Sequence, residues 1–202
     1  VNGVPHGPVP NTPSCRQHLR AFAETDSLRI EPLRSAAFPV LRDLAVDRSA
    51  LDTLLTAAGH VAVSVGTAPD ADETRHDHDA AEHALDFAAC IGCGACVAAC
   101  PNGAAHLFAG AKLAHLALMP IGRLERGRRA AAMVDALDAS FGPCSTYGEC
   151  ALVCPAGIPL TAGFVGKWAV FSAALAAGAW PVVVAAIVAS IIAAYFYIRV
   201  IV

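Results

Sequence analysis

Seven cysteines stand in two runs, Cys90-x2-Cys93-x2-Cys96-x3-Cys100-Pro101 and Cys144-x5-Cys150-x3-Cys154-Pro155. Thiolates at this spacing wrap three ligands around one iron–sulfur cluster, while the cysteine before the proline reaches across to the other cluster. On that rule Cys90, Cys93, Cys96 and Cys154 hold a [4Fe-4S] cluster, and Cys100, Cys144 and Cys150 hold a second one. Tyr147 stands where the first run has Cys93. One corner iron of the second site then lacks a protein thiolate, and a [3Fe-4S] cluster is its natural occupant. Gly92 and Gly94 fit the same chemistry, because a residue without Cβ lets the backbone turn tightly and bring amide donors near sulfur. Zinc is a weaker competitor, since structural zinc takes paired two-ligand motifs rather than four cysteines in a row before proline. A secreted disulfide framework is disfavoured, as no signal peptide opens the sequence and the close cysteine spacing suits one shared metal site.

The elements that must carry these runs read as mainly helical. Apolar residues recur at three and four over Gly103 to Leu118 and Arg123 to Ala139, with Leu113, Leu116, Leu124, Met133, Val134 and Leu137 on the inner faces. Two helices therefore separate the cysteine runs. Asp47 is placed to cap a helix from about Arg48 to Ala58 that Gly59 ends. Residues 1–48 are rich in proline and turn residues, and Ser27 to Pro32 alternates polar and apolar as a short strand would. The chain opens at Val1 on Asn2-Gly3, a hairpin-turn dipeptide with no strand before it, so it reads as the middle of a domain. Residues 66–82 form a polar loop in which His76 and His78, followed by His83, invite a metal reading. An exposed linker is preferred, because nothing fixes such ligands in one geometry. Arg123, Arg126, Arg128 and Arg129 are read as a solvated helix face.

The charge balance of 14 basic to 17 acidic residues gives no electrostatic case for nucleic acid. The 56% apolar content is concentrated at the C-terminus, where no charge occurs from Trp168 to Ile198. That stretch has membrane length. Residues 156–202 are expected to form two transmembrane helices, about Thr161 to Ala177 and Pro181 to Val202, packed through small residues and facing a lipid bilayer. Trp168 and Trp180 would anchor the first at the interfaces, and Lys167 near its end would extend to the headgroups.

The run Ala89 to Gly103, Phe141-Gly142-Pro143-Cys144 with Gly148-Glu149-Cys150 and Cys154-Pro155, and Val40 to Ser49 upstream resemble the iron–sulfur subunit of succinate dehydrogenase and fumarate reductase. The resemblance covers residues 1 to about 160. It implies a remnant of a plant-type ferredoxin [2Fe-2S] domain over 1–48, a helical, bacterial-ferredoxin-like domain with two clusters over 49–155, and electron transfer from a flavoprotein subunit to quinone beside a membrane anchor subunit. The implied location is the inner (cytoplasmic) membrane, with the cluster domain on the cytoplasmic side. Cys15 matches the last of four [2Fe-2S] ligands, the other three of which would precede Val1, so that cluster is expected only in a full-length relative. Where many relatives place a tryptophan and a histidine at the quinone site, this sequence has Ala105 and Ser145, and no quinone ligand is carried over.

Residues 156–202, through Gly157-Ile158-Pro159-Leu160, Gly163-Phe164-Val165-Gly166-Lys167, Trp180-Pro181 and Tyr195 to Val200, resemble instead the antiporter-like N subunit of complex I, the NADH-quinone oxidoreductase. There the matching lysine lies on a proton-translocating axis, a role Lys167 would inherit only in the whole subunit. Both resemblances share Gly-Ile-Pro-Leu, and the join at that string reads as a chimera of two truncated pieces. The alternative function is accordingly a membrane segment of a proton-translocating subunit carrying a ferredoxin-like domain.

Overall fold

The structure is a computed structural model that describes residues 1–22, 27–60, 77–119, 123–158, 180–181, 183–185 and 187–188. It is mostly helical with one small sheet. Two antiparallel strands, β1 (Val40–Arg42) and β2 (Ala45–Val46), pair Val40 with Val46 around a turn in which Asp43 takes a left-handed φ of 52°. Among the described residues the helices that follow are α1 (Ser49–Leu54), continued by a π-helical turn (Leu55–Gly59); α2 (His78–Ala88); α3 (Ala95–Ala99); α4 (His106–Leu118); α5 (Arg123–Ser140); and α6 (Glu149–Leu152).

Helices α4 and α5 match the periodic segments within a few residues, and Asp47 accepts the Ser49 amide at 2.9 Å at the start of α1. Helix α4 is buried almost all round, because alanines at 109, 111 and 114 let neighbours approach from every side. One of its faces joins Phe38, Leu51, Leu54, Val97, Met133 and Leu137 in an apolar core through Phe108, Ala109 and Leu113. The opposite face, Leu107, Ala111 and Ala114, packs with Phe87, Cys154 and Ile158. Cys90 and Cys96 lie against both groups. The first cysteine loop is therefore wedged at the junction of two cores.

Three expectations are corrected. Ser27 to Pro32 forms no strand. It is held to the N-terminal turn by a bracket in which the Asn2 amide donates to the Arg29 carbonyl at 2.8 Å and the Arg29 amide to Asn2 Oδ1 at 2.7 Å. Asn2 (φ 49°) and Gly3 (φ 79°) do make the expected tight turn, but that left-handed pair cannot extend a ladder. On α5, Leu124 is 85% exposed and Val134 is also exposed, while Arg129 is 7% exposed. The inward face is thus Arg129, Ala130, Met133 and Leu137, one step round from the expected one.

Arg129 turns inward because the π-helical turn ends in carbonyls that no helical amide reaches. Its guanidinium donates to the carbonyls of Ala58 (3.3 Å) and His60 and to Glu125 Oε1 (2.7 Å). A neutral side chain would leave those acceptors without their charged donor in a dry site. Arg129→Met is expected to lower the unfolding free energy by about 2–4 kcal/mol in a denaturant titration of the full chain.

Among the described residues no helix is long and apolar enough to cross a membrane, so the transmembrane hairpin expected over 156–202 is not seen among them. Most of that segment, with Lys167 and Trp168, lies outside the described residues, as does His76.

Candidate metal centre

The first cysteine loop leaves α2 at Ala89 and enters α3 at Ala95, with Gly92 (φ 63°) and Gly94 (φ 84°) both left-handed. Gly94 has a second constraint. A Cβ there would lie 2.7 Å from the ring of Phe38, which is fully buried, so the loop closes down on the core. The second loop repeats this path. Thr146 (φ 66°) and Gly148 (φ 86°) take the dihedrals of Gly92 and Gly94, and Gly148 caps α6 as Gly94 caps α3. Position by position, Cys144, Tyr147, Cys150 and Cys154 correspond to Cys90, Cys93, Cys96 and Cys100. Helices α3 and α6 pack together, so the two loops face each other as a pseudo-symmetric pair. A threonine in this region costs about 1 kcal/mol or more, a strain held by the surrounding fold.

The side chains divide across the runs. Cys90, Cys93, Cys96 and Cys154, with Gly92, Gly94, Leu107, Phe108 and Ile158, line one small pocket. Burial raises the Cys93 thiol, partly opposed by the Ala95 amide, and the neighbouring Cys154 and Cys90 raise it further. Burial pushes Cys96 up to about 12, with Cys93 and Cys90 adding to it. The Ile158 amide donates to Cys154 Sγ at 3.4 Å. Cys150 is also raised, first by burial and then, against an opposing Ala151 amide, by Cys144 and Cys100. At Cys100 burial pulls upward but is outweighed by donors from Ala104, Asn102 and Ser145, and the thiol falls below its usual range. The structure therefore brings Cys154 to the first loop and Cys100 to the second.

All eight cysteines are free thiols, which removes the disulfide reading. Among the described residues no three His, Cys, Asp or Glu side chains converge closely enough to hold a single metal ion. The four thiols of the first group stand around a cavity instead, and that donor set fits a sulfur-bridged iron cluster better than mononuclear zinc. The second trio offers three thiols and the amides around Cys100, a donor set that also fits iron–sulfur ligation.

Other residues fall outside these groups. Tyr147 is 78% exposed. Cys15 is exposed in the N-terminal 3₁₀ turn Ser14–Arg16, and Ala105 is fully buried. Ser145 donates its hydroxyl to Glu149 at 3.4 Å. His83 stands 3.7 Å from Asp86 on the exposed face of α2, as a solvated pair would.

The contacts of three side chains were not legible in the sequence. The Arg48 guanidinium donates to the carbonyls of Gly92 (2.8 Å) and Cys93 (3.3 Å), and Lys112 Nζ donates to that of Cys90 (3.4 Å). A third, between the runs, is the Asn102 amide donating to the Pro143 carbonyl at 3.1 Å.

Comparison with known proteins agrees with the cysteine geometry. Residues 89–158 match the family model described as "4Fe-4S dicluster domain". A second likeness is to proteins named NADH-quinone oxidoreductase subunit N. That of Nocardioides sp. is 75% identical over 48 residues, 24% of this chain and 9% of the relative. Those of Saccharopolyspora erythraea and Thermobifida fusca are 65% and 62% identical over 51 and 47 residues, 25% and 23% of this chain and 10% and 9% of the relatives. The chain thus spans about a tenth of the length of the curated relatives it matches. What the site and the matches jointly support is an iron–sulfur electron-transfer domain of the dicluster kind over residues 89–158.

Proposed function

We propose that this chain is an electron-relay subunit, or a fragment of one, holding a [4Fe-4S] cluster on Cys90, Cys93, Cys96 and Cys154 and a [3Fe-4S] cluster on Cys100, Cys144 and Cys150. Iron–sulfur clusters supply one-electron acceptance and release without bond chemistry on a substrate. The protein's part is to fix the thiolates, exclude water with the two apolar cores, and donate amides to sulfur, as Ile158 does to Cys154. The cysteine strings and their spacing support a succinate:quinone oxidoreductase or fumarate reductase setting. Electrons would then pass between a flavoprotein subunit and quinone at the inner membrane, with the cluster domain on the cytoplasmic side and a membrane anchor subunit beside it.

The observation that carries the unequal pair is the backbone repeat, which puts Tyr147 where the first loop has Cys93. Anaerobic reconstitution followed by EPR tests it. An oxidised-state signal of a three-iron centre and a reduced-state signal of a four-iron centre are expected; the absence of both would sink the proposal. Tyr147→Cys should then convert the second site, whose backbone already has the ligand-bearing conformation, toward four irons. Unchanged iron content in that variant would count against the assignment.

The likeness to NADH-quinone oxidoreductase subunit N supports a second reading, in which part of the chain is a membrane segment of a proton-translocating subunit and Lys167 belongs to its polar axis. Proteoliposome association that persists after deletion of 156–202 would exclude that segment as the anchor.

A further inference from the structure

The first cysteine loop is gripped from outside by two cations that neither the cysteine pattern nor the dicluster match assigns. Arg48, one residue before α1, donates Nη2 to the Gly92 carbonyl at 2.8 Å and Nη1 to the Cys93 carbonyl at 3.3 Å. Lys112, on α4, donates Nζ to the Cys90 carbonyl at 3.4 Å and stands 5.7 Å from the centroid of the Phe108 ring. Both side chains are half-buried, where charge is less screened than at an open surface. Among the described residues no carboxylate comes within 4.0 Å of the Arg48 guanidinium to cancel it.

The bond to Gly92 is placed to act on a ligand cysteine. That carbonyl and the Cys93 amide are the two ends of one peptide group, and Cys93 is one of the four cysteines around the first site. Arg48 therefore places its charge on the oxygen end of the peptide that leads into a ligand cysteine, and on that cysteine's own carbonyl. A cation held against the loop beside the site favours the state with the extra negative charge.

Resting on the cluster reading above, we propose that Arg48, seconded by Lys112, sets the reduction potential of the first centre by holding it high. Reduction adds one electron, and with it one negative charge, to that centre; Arg48 acts through the loop and is a positioning residue. The test is an EPR-monitored redox titration of the reconstituted full chain, with dithionite as reductant. Arg48→Gln is expected to lower the reduced-to-oxidised ratio of the first centre at least tenfold at fixed poise, about 59 mV for one electron. The second centre, whose loop Arg48 does not touch, should stay in place as an internal control. Arg48→Lys keeps the charge and is expected to stay within about threefold of the parent.

A first centre in Arg48→Gln that titrates with the parent at full iron content overturns the proposal. An equal drop in Arg48→Lys also overturns it, because the effect would then be loop geometry rather than charge. If Arg48→Gln takes up no iron at the first site, Lys112→Gln decides: a shift in the same direction is expected, and an unmoved potential overturns the idea. Failure of the parent chain to show any four-iron signal would instead strike the cluster assignment itself, so the two failures are distinguishable.

Discussion

Cys154→Ala is expected to abolish the first centre and spare the second, although Cys154 belongs to the second cysteine run. The argument is geometric. Cys154 is buried at 8% exposure, lines the cavity with Cys90, Cys93 and Cys96, and receives the Ile158 amide on its sulfur. Cys150, four residues earlier, senses Cys144 and Cys100 instead. Four-iron clusters of this kind need four thiolates, so removing one should leave about three irons per chain instead of about seven. The reciprocal variant, Cys100→Ala, lies in the first run and should empty the second centre while the four-iron signal remains. Iron and sulfide content with EPR of both redox states reads each variant. The exchange is refuted if Cys154→Ala keeps the four-iron signal while the three-iron signal disappears.

The cysteine rule was legible because ligand spacing is a local property: three thiols within one loop and a fourth before a proline need no long-range knowledge. Helices α4 and α5 were legible for a similar reason, since apolar recurrence at three and four reports a buried face. Their facing was less so. Arg129 looked like one of several exposed arginines, and only the unsatisfied carbonyls of Ala58 and His60, about 70 residues earlier, draw it inward. Arg48 is equally remote from the carbonyls it holds, 44 and 45 residues away. Charged side chains that serve distant backbone groups leave no periodic trace. The repeat of the two loops was half visible: the cysteine offsets gave the Cys93 to Tyr147 correspondence, but Thr146 hid the dihedral repeat because threonine seldom takes a left-handed conformation. The β1–β2 hairpin was missed because Asp43-Leu44 lacks the Asn-Gly or Asp-Gly signal of a tight turn, and Ser27 to Pro32 carried the alternation without a partner strand.

Gly142→Ala is expected to disable the second centre selectively, through space rather than conformation. A Cβ at Gly142 would lie 2.0 Å from the carbonyl oxygen and 3.1 Å from the carbonyl carbon of Asn102. Carbon and oxygen cannot approach so closely, and the two segments must part by roughly 1 Å or more. Neither can yield easily. Phe141 is packed against the first core, while the Asn102 side chain is hydrogen-bonded to the Pro143 carbonyl, and the Cys100 carbonyl accepts the Gly103 amide at 2.9 Å. Cys100 lies two residues before Asn102 and Cys144 two residues after Gly142, so the displacement falls directly between two ligands of one site. Overpacking of this kind costs about 1–3 kcal/mol in stability, and a ligand moved by about 1 Å loses its bonding geometry. The three-iron EPR signal per chain should fall at least about tenfold, with the four-iron signal within about twofold of the parent. Asn102→Ala removes only the hydrogen bond to Pro143 and should cost about 1 kcal/mol while keeping most of the second centre. A Gly142→Ala chain with a full three-iron signal would show that the contact between the loops does not position Cys100 against Cys144.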